Sequence, residues 1–259
     1  MAGGINMTRI IMHGCMGRMG TVIEGLLEND ADAAIVAGVD IIDNGNKSYP
    51  VFTEISKCDV EADVIIDFSN SKAVDALLDY AVEKKLPVVL CTTGLSTEQL
   101  DKMREASKTV PILKSANMSL GINTIMKLLK DASNVFVPAG FDVEIVEHHH
   151  NQKLDAPSGT ALALADSINE ACGGQFEYVY DRSDRMQKRD KKELGISAVR
   201  AGTIPGTHEI IFAGPDEYIE IKHVAYSRSI FANGAISAAK FLSGKSAGIY
   251  DMSDVIASY

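Results

Sequence analysis

Arg9-Ile10-Ile11-Met12-His13-Gly14-Cys15-Met16-Gly17-Arg18-Met19-Gly20 is the stretch that decides how this chain folds. A short apolar run comes first, and the glycines follow it directly. Met19, Val22, Ile23, Leu26 and Leu27 then recur at helical spacing, so the glycines lie on a strand-to-helix turn. Glycine suits this place because the backbone must turn sharply and approach a pyrophosphate whose charge rests on the helix N-terminus. The spacing is GxxGxxG rather than the commoner GxGxxG. Taken alone, the loop is also compatible with a plain βα turn whose glycines serve packing.

The next segment favours the nucleotide reading. Ala33 to Val39 forms a second apolar strand ending in Asp40, twenty residues after Gly20. An acidic side chain there is placed to accept hydrogen bonds from adenosine ribose hydroxyls. Ile41 and Ile42 follow where a reader of a 2′-phosphate would want arginine, which favours NADH over NADPH. Lys47 or Arg18 would be the alternative source of positive charge.

The alternation continues. Val64 to Phe68 is a buried-type strand, and Val74, Leu77, Leu78 and Ala81 mark a helix. Pro87 to Leu90 is the next strand, and it runs into Cys91-Thr92-Thr93-Gly94. Ser96 with Gln99 forms a capping box for a helix from Thr97 to Ser107. Val110 to Leu113 leads to Ser115-Ala116-Asn117-Met118-Ser119. Such alternation predicts a Rossmann-type, doubly wound parallel sheet, with the two small polar loops walling a cofactor cleft at the strand carboxyl ends.

From about residue 120 the pattern changes. A helix over Ile122 to Ser133 bridges to a strand, Asp142 to Glu147, and a helix from Thr160 to Cys172 is stopped by Gly173-Gly174. The charged segment Asp181 to Glu193 reads as a solvated, mobile loop. Ile196 to Ala201, Thr207 to Ala213 and Tyr218 to Tyr226 read as strands joined by short turns at Gly202 to Gly206 and Gly214 to Asp216. That predicts a second, α+β domain with a mixed or antiparallel sheet. Ala232 to Leu242 is a final helix.

Composition sets the outer bounds. The chain has 259 residues, 46% hydrophobic and 23% charged, with a formal net charge of −10. That charge excludes nucleic acid as an expected partner and requires an anionic ligand to find a local basic site. No apolar run is long enough for a membrane span. The first six residues read as a loose extension too polar for a signal peptide, with Met7 an alternative start. Cys15, Cys58, Cys91 and Cys172 are scattered without zinc-type spacing, as expected of reduced thiols in a cytoplasmic protein.

The local basic site is Glu147-His148-His149-His150-Asn151-Gln152-Lys153-Leu154-Asp155-Ala156-Pro157-Ser158-Gly159-Thr160-Ala161. Cations followed at once by a helix start can hold an anion and hand it a proton. Lys153 is the best-placed donor, because neighbouring His149 and His150 would lower its pKa by like-charge repulsion. His149 would share that role or hold the substrate. In an extended strand His148 and His150 point one way and His149 the other. Ser158 is an N-cap candidate, Gly159 and Thr160 open the helix toward a carboxylate, and Asp155 would orient Lys153 or cap the turn. No metal site is expected, since the histidines lack a third ligand at recognisable spacing.

The HH-x-x-K-x-DAPSGTA pattern resembles the signature of the 4-hydroxy-tetrahydrodipicolinate reductases (dihydrodipicolinate reductases) of lysine and diaminopimelate synthesis. Gly17 to Gly20, Thr92 to Gly94, Ala116-Asn117, Phe231 to Ala235 and Tyr250 to Met252 carry the resemblance over nearly the whole chain. It implies nicotinamide-dependent reduction of a small cyclic dicarboxylic imine; Asp40 followed by Ile41 lacks the acidic-basic pair of dual-cofactor relatives, which keeps NADH preferred with NADPH also open. By position, His149 and Lys153 would be the proton-donating pair, and His150, Lys153, Gly159 and Thr160 would bind the substrate carboxylates. Gly14, Cys15, Met16, Gly17, Arg18, Met19, Asp40, Cys91, Thr92, Thr93, Ser115, Ala116, Asn117 and Met118 would line the cofactor. The resemblance also implies a homotetramer assembled through the second domain's sheet. The expected division is 1–119 with 229–259 for the dinucleotide and 120–228 for substrate and oligomerisation. His148 has no assigned role.

Overall fold

The computed structural model describes residues 7–259; the expected N-terminal extension, 1–6, lies outside the described residues. The chain divides into two compact units, one holding the described residues up to Ser119 together with Ser229–Tyr259, the other Leu120–Arg228.

The first unit is built by β1 (Thr8–His13), α1 (Arg18–Leu27), β2 (Ala33–Val39), β3 (Val51–Phe52), β4 (Val64–Asp67), α2 (Ser71–Lys84), β5 (Val88–Leu90), α3 (Thr97–Ala106) and β6 (Pro111–Leu113). Ile10, Ile11 and Met12 are all fully buried. A central parallel strand is covered on both faces, which is why its sequence is a continuous apolar run rather than an alternation. Ile11, Ile65, Val88 and Ile112 pack on one side against Val74, Leu77 and Leu78 of α2 and Met103 of α3. The capping box of α3 is formed in both directions: Ser96 Oγ accepts from the Gln99 N–H at 3.2 Å and Gln99 Oε1 from the Ser96 N–H at 3.2 Å.

The second unit comprises α4 (Leu120–Phe136), β7 (Asp142–His149), α5 (Gly159–Ala171), β8 (Glu177–Val179), β9 (Glu193–Arg200), β10 (Gly206–Ala213) and β11 (Tyr218–Ala225). The sheet order is β11-β10-β7-β9-β8. β7 pairs antiparallel with β10 and parallel with β9, so the sheet is mixed. One turn expected from the sequence is therefore corrected. Gly202 to Gly206 does not join neighbours, because β7 lies between β9 and β10. Leu129 of α4 and Leu164, Ala165 and Ile168 of α5 cover the face formed by Val143, Ile145, Ile196, Ile210 and Phe212.

The segment Asp181 to Glu193 also departs from a freely solvated loop. Its arginines fasten to the sheet: Arg182 Nη2 meets Glu144 Oε1 at 2.7 Å, Arg185 Nη2 meets Glu193 Oε2 at 2.7 Å, and Arg189 Nη1 meets Asp142 Oδ1 at 2.9 Å. Asp142 and Glu144 on β7 and Glu193 at the start of β9 attract them, and local sequence does not reveal that pairing.

The chain returns to the first unit through α6 (Ser229–Leu242), β12 (Gly248–Tyr250) and α7 (Met252–Ala257). α1 and α6 pack on the remaining face, and β12 adds a seventh strand beside β6. The completed order, β12-β6-β5-β4-β1-β2-β3, is parallel throughout and doubly wound.

Candidate active site

In the first unit, β1 ends at His13 and the glycine loop begins. Gly14 has φ +86°, and a Cβ there would lie 2.6 Å from the Phe68 carbonyl oxygen. A Cβ on Gly20 would lie 2.5 Å from the Gly14 carbonyl oxygen, so both glycines are required for the loop to close on the sheet. Gly17 is the N-cap of α1 and supplies no side-chain cap, and the first turn carries no acidic residue. The positive end of the helix is left for an anion.

Asp40 follows β2 directly. Its Oδ2 accepts from the Met16 N–H at 2.9 Å and its Oδ1 from the Ile41 N–H at 2.8 Å. His13, Gly14, Gly17, Asp40, Ser69 and Asn70 share a cleft of about 430 Å³. This cradle fits a dinucleotide: small residues where a diphosphate would approach, a helix start behind it, and a carboxylate at the next strand end.

The remaining expected cofactor residues differ in what they present. Cys15 is wholly buried, and burial pushes its thiol up to about 11. Met16 and Met19 are half-buried, and Arg18 is exposed. Lys47, the alternative charge for a 2′-phosphate, is instead engaged by Glu24. Cys91 follows β5, and its N–H donates to the Asp67 carbonyl at 2.9 Å; its thiol is pushed up by burial. Thr92 is buried and Thr93 exposed; Ser115 is half-buried and Ala116 exposed, with Asn117 and Met118 buried. Asn117 Oδ1 accepts from the Ser119 N–H at 2.7 Å and shapes that loop from within.

Sequence reasoning missed the polar floor beneath these loops. His13 Nδ1 lies 2.8 Å from Asp67 Oδ1, which also accepts from Ser69 Oγ at 2.6 Å. Asp67 is fully buried; burial opposes its charge, but His13 foremost, with Ser69 and Thr92, holds it below the ordinary carboxylate value. Lys114, depressed by burial, donates to the Thr92 carbonyl at 3.2 Å. A polar residue at the end of each apolar strand was the available signal.

In the second unit, β7 buries alternate residues: Val143, Ile145, Glu147 and His149. The inward face is thus apolar for half the strand and ionisable for the rest. His148 points to the opposite face, as strand alternation requires, away from His149. His150 lies beyond the strand end, where its carbonyl accepts from the Lys153 N–H at 3.1 Å and starts a turn. The alternation expected to pair it with His148 therefore stops one residue early.

Glu147 is the centre of this end of the sheet. Its oxygens receive Arg200 Nη1 at 2.8 Å and Nη2 at 2.7 Å, the Ser158 N–H at 2.9 Å, and contact His149 Nδ1 at 2.6 Å. Burial opposes its charge, and Arg200 leads the donors that nevertheless hold it below the ordinary value. Burial depresses His149, with Glu147 acting against that and Lys153 and Arg200 adding to it. His208, 5.2 Å from the His149 ring and within 3.1 Å of Ser158 Oγ, is pushed down to about 3 by burial and is neutral.

Ser158 caps α5 as expected, its Oγ accepting from the Ala161 N–H at 3.1 Å. Gly159 and Thr160 form the first turn of α5. Lys153 Nζ is 2.9 Å from Asp155 Oδ1. Asp155 is thus the counter-ion of Lys153, one of the two roles the sequence offered it, while Lys153 acts on His149 as a like charge. Asp155 is held below its usual range chiefly by Lys153 and, to a lesser extent, by the Gly159 N–H. Orienting Lys153 and capping the turn are therefore both done by one carboxylate. Arg200 and His208, which complete the cluster, come from strands whose register with β7 local sequence does not disclose.

Comparison with known proteins matches nearly the whole chain. The family models described as dihydrodipicolinate reductase, N-terminus and C-terminus, match residues 8–118 and 121–256. The chain is 50% identical over 252 residues to the 4-hydroxy-tetrahydrodipicolinate reductase of Clostridium novyi (strain NT), covering 97% of this chain and 99% of that one. It is 51% identical over 246 residues to the protein of that name from Clostridium tetani (strain Massachusetts / E88), covering 95% and 96%. The dipicolinate-bound dihydrodipicolinate reductase from Paenisporosarcina sp. TG-14 superposes with TM-score 0.79 at 24% identity, covering 95% of this chain and 97% of that one. That structural likeness establishes the shared fold.

Proposed function

The chain belongs to the dihydrodipicolinate reductase family, and from that premise we propose that it reduces 4-hydroxy-tetrahydrodipicolinate to tetrahydrodipicolinate in diaminopimelate and lysine synthesis. The overall change adds one hydride and one proton to the ring and releases one water. A nicotinamide cofactor, when bound, supplies the hydride. The glycine loop, Asp40 and the loops at Cys91 to Thr93 and Ser115 to Met118 would hold it, which gives the first unit its dinucleotide role.

The protein's own chemistry then lies in the second unit. His149 and Lys153 are assigned as the proton-donating pair. His150, Lys153, Gly159 and Thr160 are assigned to the substrate carboxylates, with the start of α5 favouring negative charge. One observation carries this reading: Glu147 touches both His149 and the N-cap of α5, so the donor and the anion-holding helix start are one cluster. We assign NADH as the preferred cofactor because Asp40 is followed by Ile41 and because Glu24 engages Lys47.

Assembly as a homotetramer through the second unit's sheet is supported by that sheet's uncovered face, where Val199 and Val224 are 40% and 43% exposed. A cytoplasmic setting is supported by a pathway of small soluble metabolites; no described helix is long and apolar enough to cross a membrane.

The test is NADH absorbance followed while an upstream synthase condenses pyruvate and aspartate semialdehyde. Oxidation that depends on the condensation product supports the reductase. Oxidation with the semialdehyde alone would identify a different dehydrogenase, and none at all would leave a cofactor-binding protein without this activity. Lys153→Ala should lower turnover by about 10²–10⁴ with NADH binding retained, the usual cost of losing a positioned acid.

A further inference from the structure

Glu147 is fully buried, and both its oxygens are filled. Oε2 meets His149 Nδ1 at 2.6 Å and Arg200 Nη1 at 2.8 Å, while Oε1 accepts from the Ser158 N–H at 2.9 Å and Arg200 Nη2 at 2.7 Å. A carboxylate with a guanidinium fork and a backbone donor is ionised, and an ionised carboxylate can only accept. The hydrogen in the 2.6 Å contact therefore belongs to His149 Nδ1. In the neutral ring the lone pair is then at Nε2.

We propose that Glu147 is a positioning residue for the proton transfer: it fixes His149 as the Nδ1–H tautomer, leaving Nε2 to gain and give the catalytic proton. It also ties the imidazole to the N-cap of the helix that faces the substrate carboxylate. The proposal rests on the reading of His149 as a proton donor.

The charges around the ring explain why this contact matters. Arg200 reaches across from β9 and Lys153 lies on the turn after β7; both disfavour the imidazolium, as does burial. His208 on β10 faces the ring at 5.2 Å, and His223 on β11 stands 6.5 Å from His208; burial depresses both. Asp155 spends its charge on Lys153, its Oδ1 at 2.9 Å from Nζ. Glu147 is the group shown to favour the charged imidazole. Arg200 in turn anchors the cluster by donating to the Asp155 carbonyl at 2.6 Å.

The experiment compares Glu147→Gln, Glu147→Asp and His149→Asn in the full chain, with NADH binding as the control for folding. Kinetics are read as kcat against pH, and the histidine tautomer by 15N NMR of the imidazole. A general acid works only when protonated, so kcat falls as pH rises through its pKa. Loss of the neighbouring carboxylate should move that limb of Glu147→Gln down by about one pH unit or more and cut kcat above it about tenfold. Glu147→Asp, which keeps the charge, should hold the limb in place. Wild-type His149 should show Nδ1 protonated in its neutral form. An Nε2–H tautomer in the wild type overturns the proposal even if Glu147→Gln fails to fold. An unmoved limb in Glu147→Gln, with turnover lost in His149→Asn, overturns the proposal alone. Full turnover in His149→Asn overturns the donor assignment on which it rests.

Discussion

Lys153 Nζ and Asp155 Oδ1 form an ion pair at 2.9 Å, so the ammonium assigned to the substrate carboxylate already holds a carboxylate from its own turn. Asp155 is 56% exposed at its side chain, and such pairs contribute on the order of 1 kcal/mol or less. An incoming dicarboxylate should therefore displace Asp155 at small cost. Asp155→Asn should tighten the binding of a planar pyridine dicarboxylate by up to about fivefold, the equivalent of that energy. Calorimetric titration measures it. Weaker binding in Asp155→Asn would show that the carboxylate positions Lys153 more than it competes for it.

Asp40 is joined to the glycine loop through the Met16 N–H at 2.9 Å. Asp40→Ala removes both the expected ribose acceptor and a loop support. NADH affinity should fall, and the gap between NADH and NADPH should narrow. Fluorescence titration with both cofactors decides it; a wild-type preference for NADPH would remove the argument from Asp40.

Gly234 of α6 passes so close to the loop after β6 that an added Cβ would lie 1.6 Å from the Met118 carbonyl oxygen. Gly234→Ala must push the Ser115 to Met118 segment or the helix aside, and overpacking of this kind costs about 1–3 kcal/mol. The melting temperature and NADH affinity should fall together. A variant that melts like the wild type would show that the loop yields freely.

Glu193 is held down to about 2, chiefly by Arg185. An unfolded glutamate titrates near about 4.3, so the folded chain keeps the charged form to lower pH. The resulting stability is fully present above the unfolded value and disappears as pH falls through the folded one. The melting-temperature difference between wild type and Glu193→Gln should be largest near neutrality and shrink between about pH 4.3 and about pH 2. A difference constant across that window would mean that the ion pairs with Arg182 and Arg185 contribute nothing.

Much of the nucleotide fold was legible because its signals are local. Apolar strands, the glycine turn and the Ser96–Gln99 box each specify structure within a few residues. The two-residue β3, β8 and the last strand, β12, were not legible, since they are short and exist by pairing with strands far away in the chain. Asp67 and His13 read as strand ends, and only the parallel register of β1 with β4 makes them a pair.

By itself, the sequence determined the doubly wound sheet, the helix start at Ser158, and the residue types gathered between Glu147 and Thr160. Periodicity, capping and side-chain chemistry act over a few residues, so a linear reading captures them. Tertiary structure alone decided which distant groups meet. It seated β7 between β9 and β10 and brought Arg200 and His208 to Glu147 and Ser158. Strand register and burial select those partners. Both depend on contacts between segments about 50 residues apart, which no local pattern encodes.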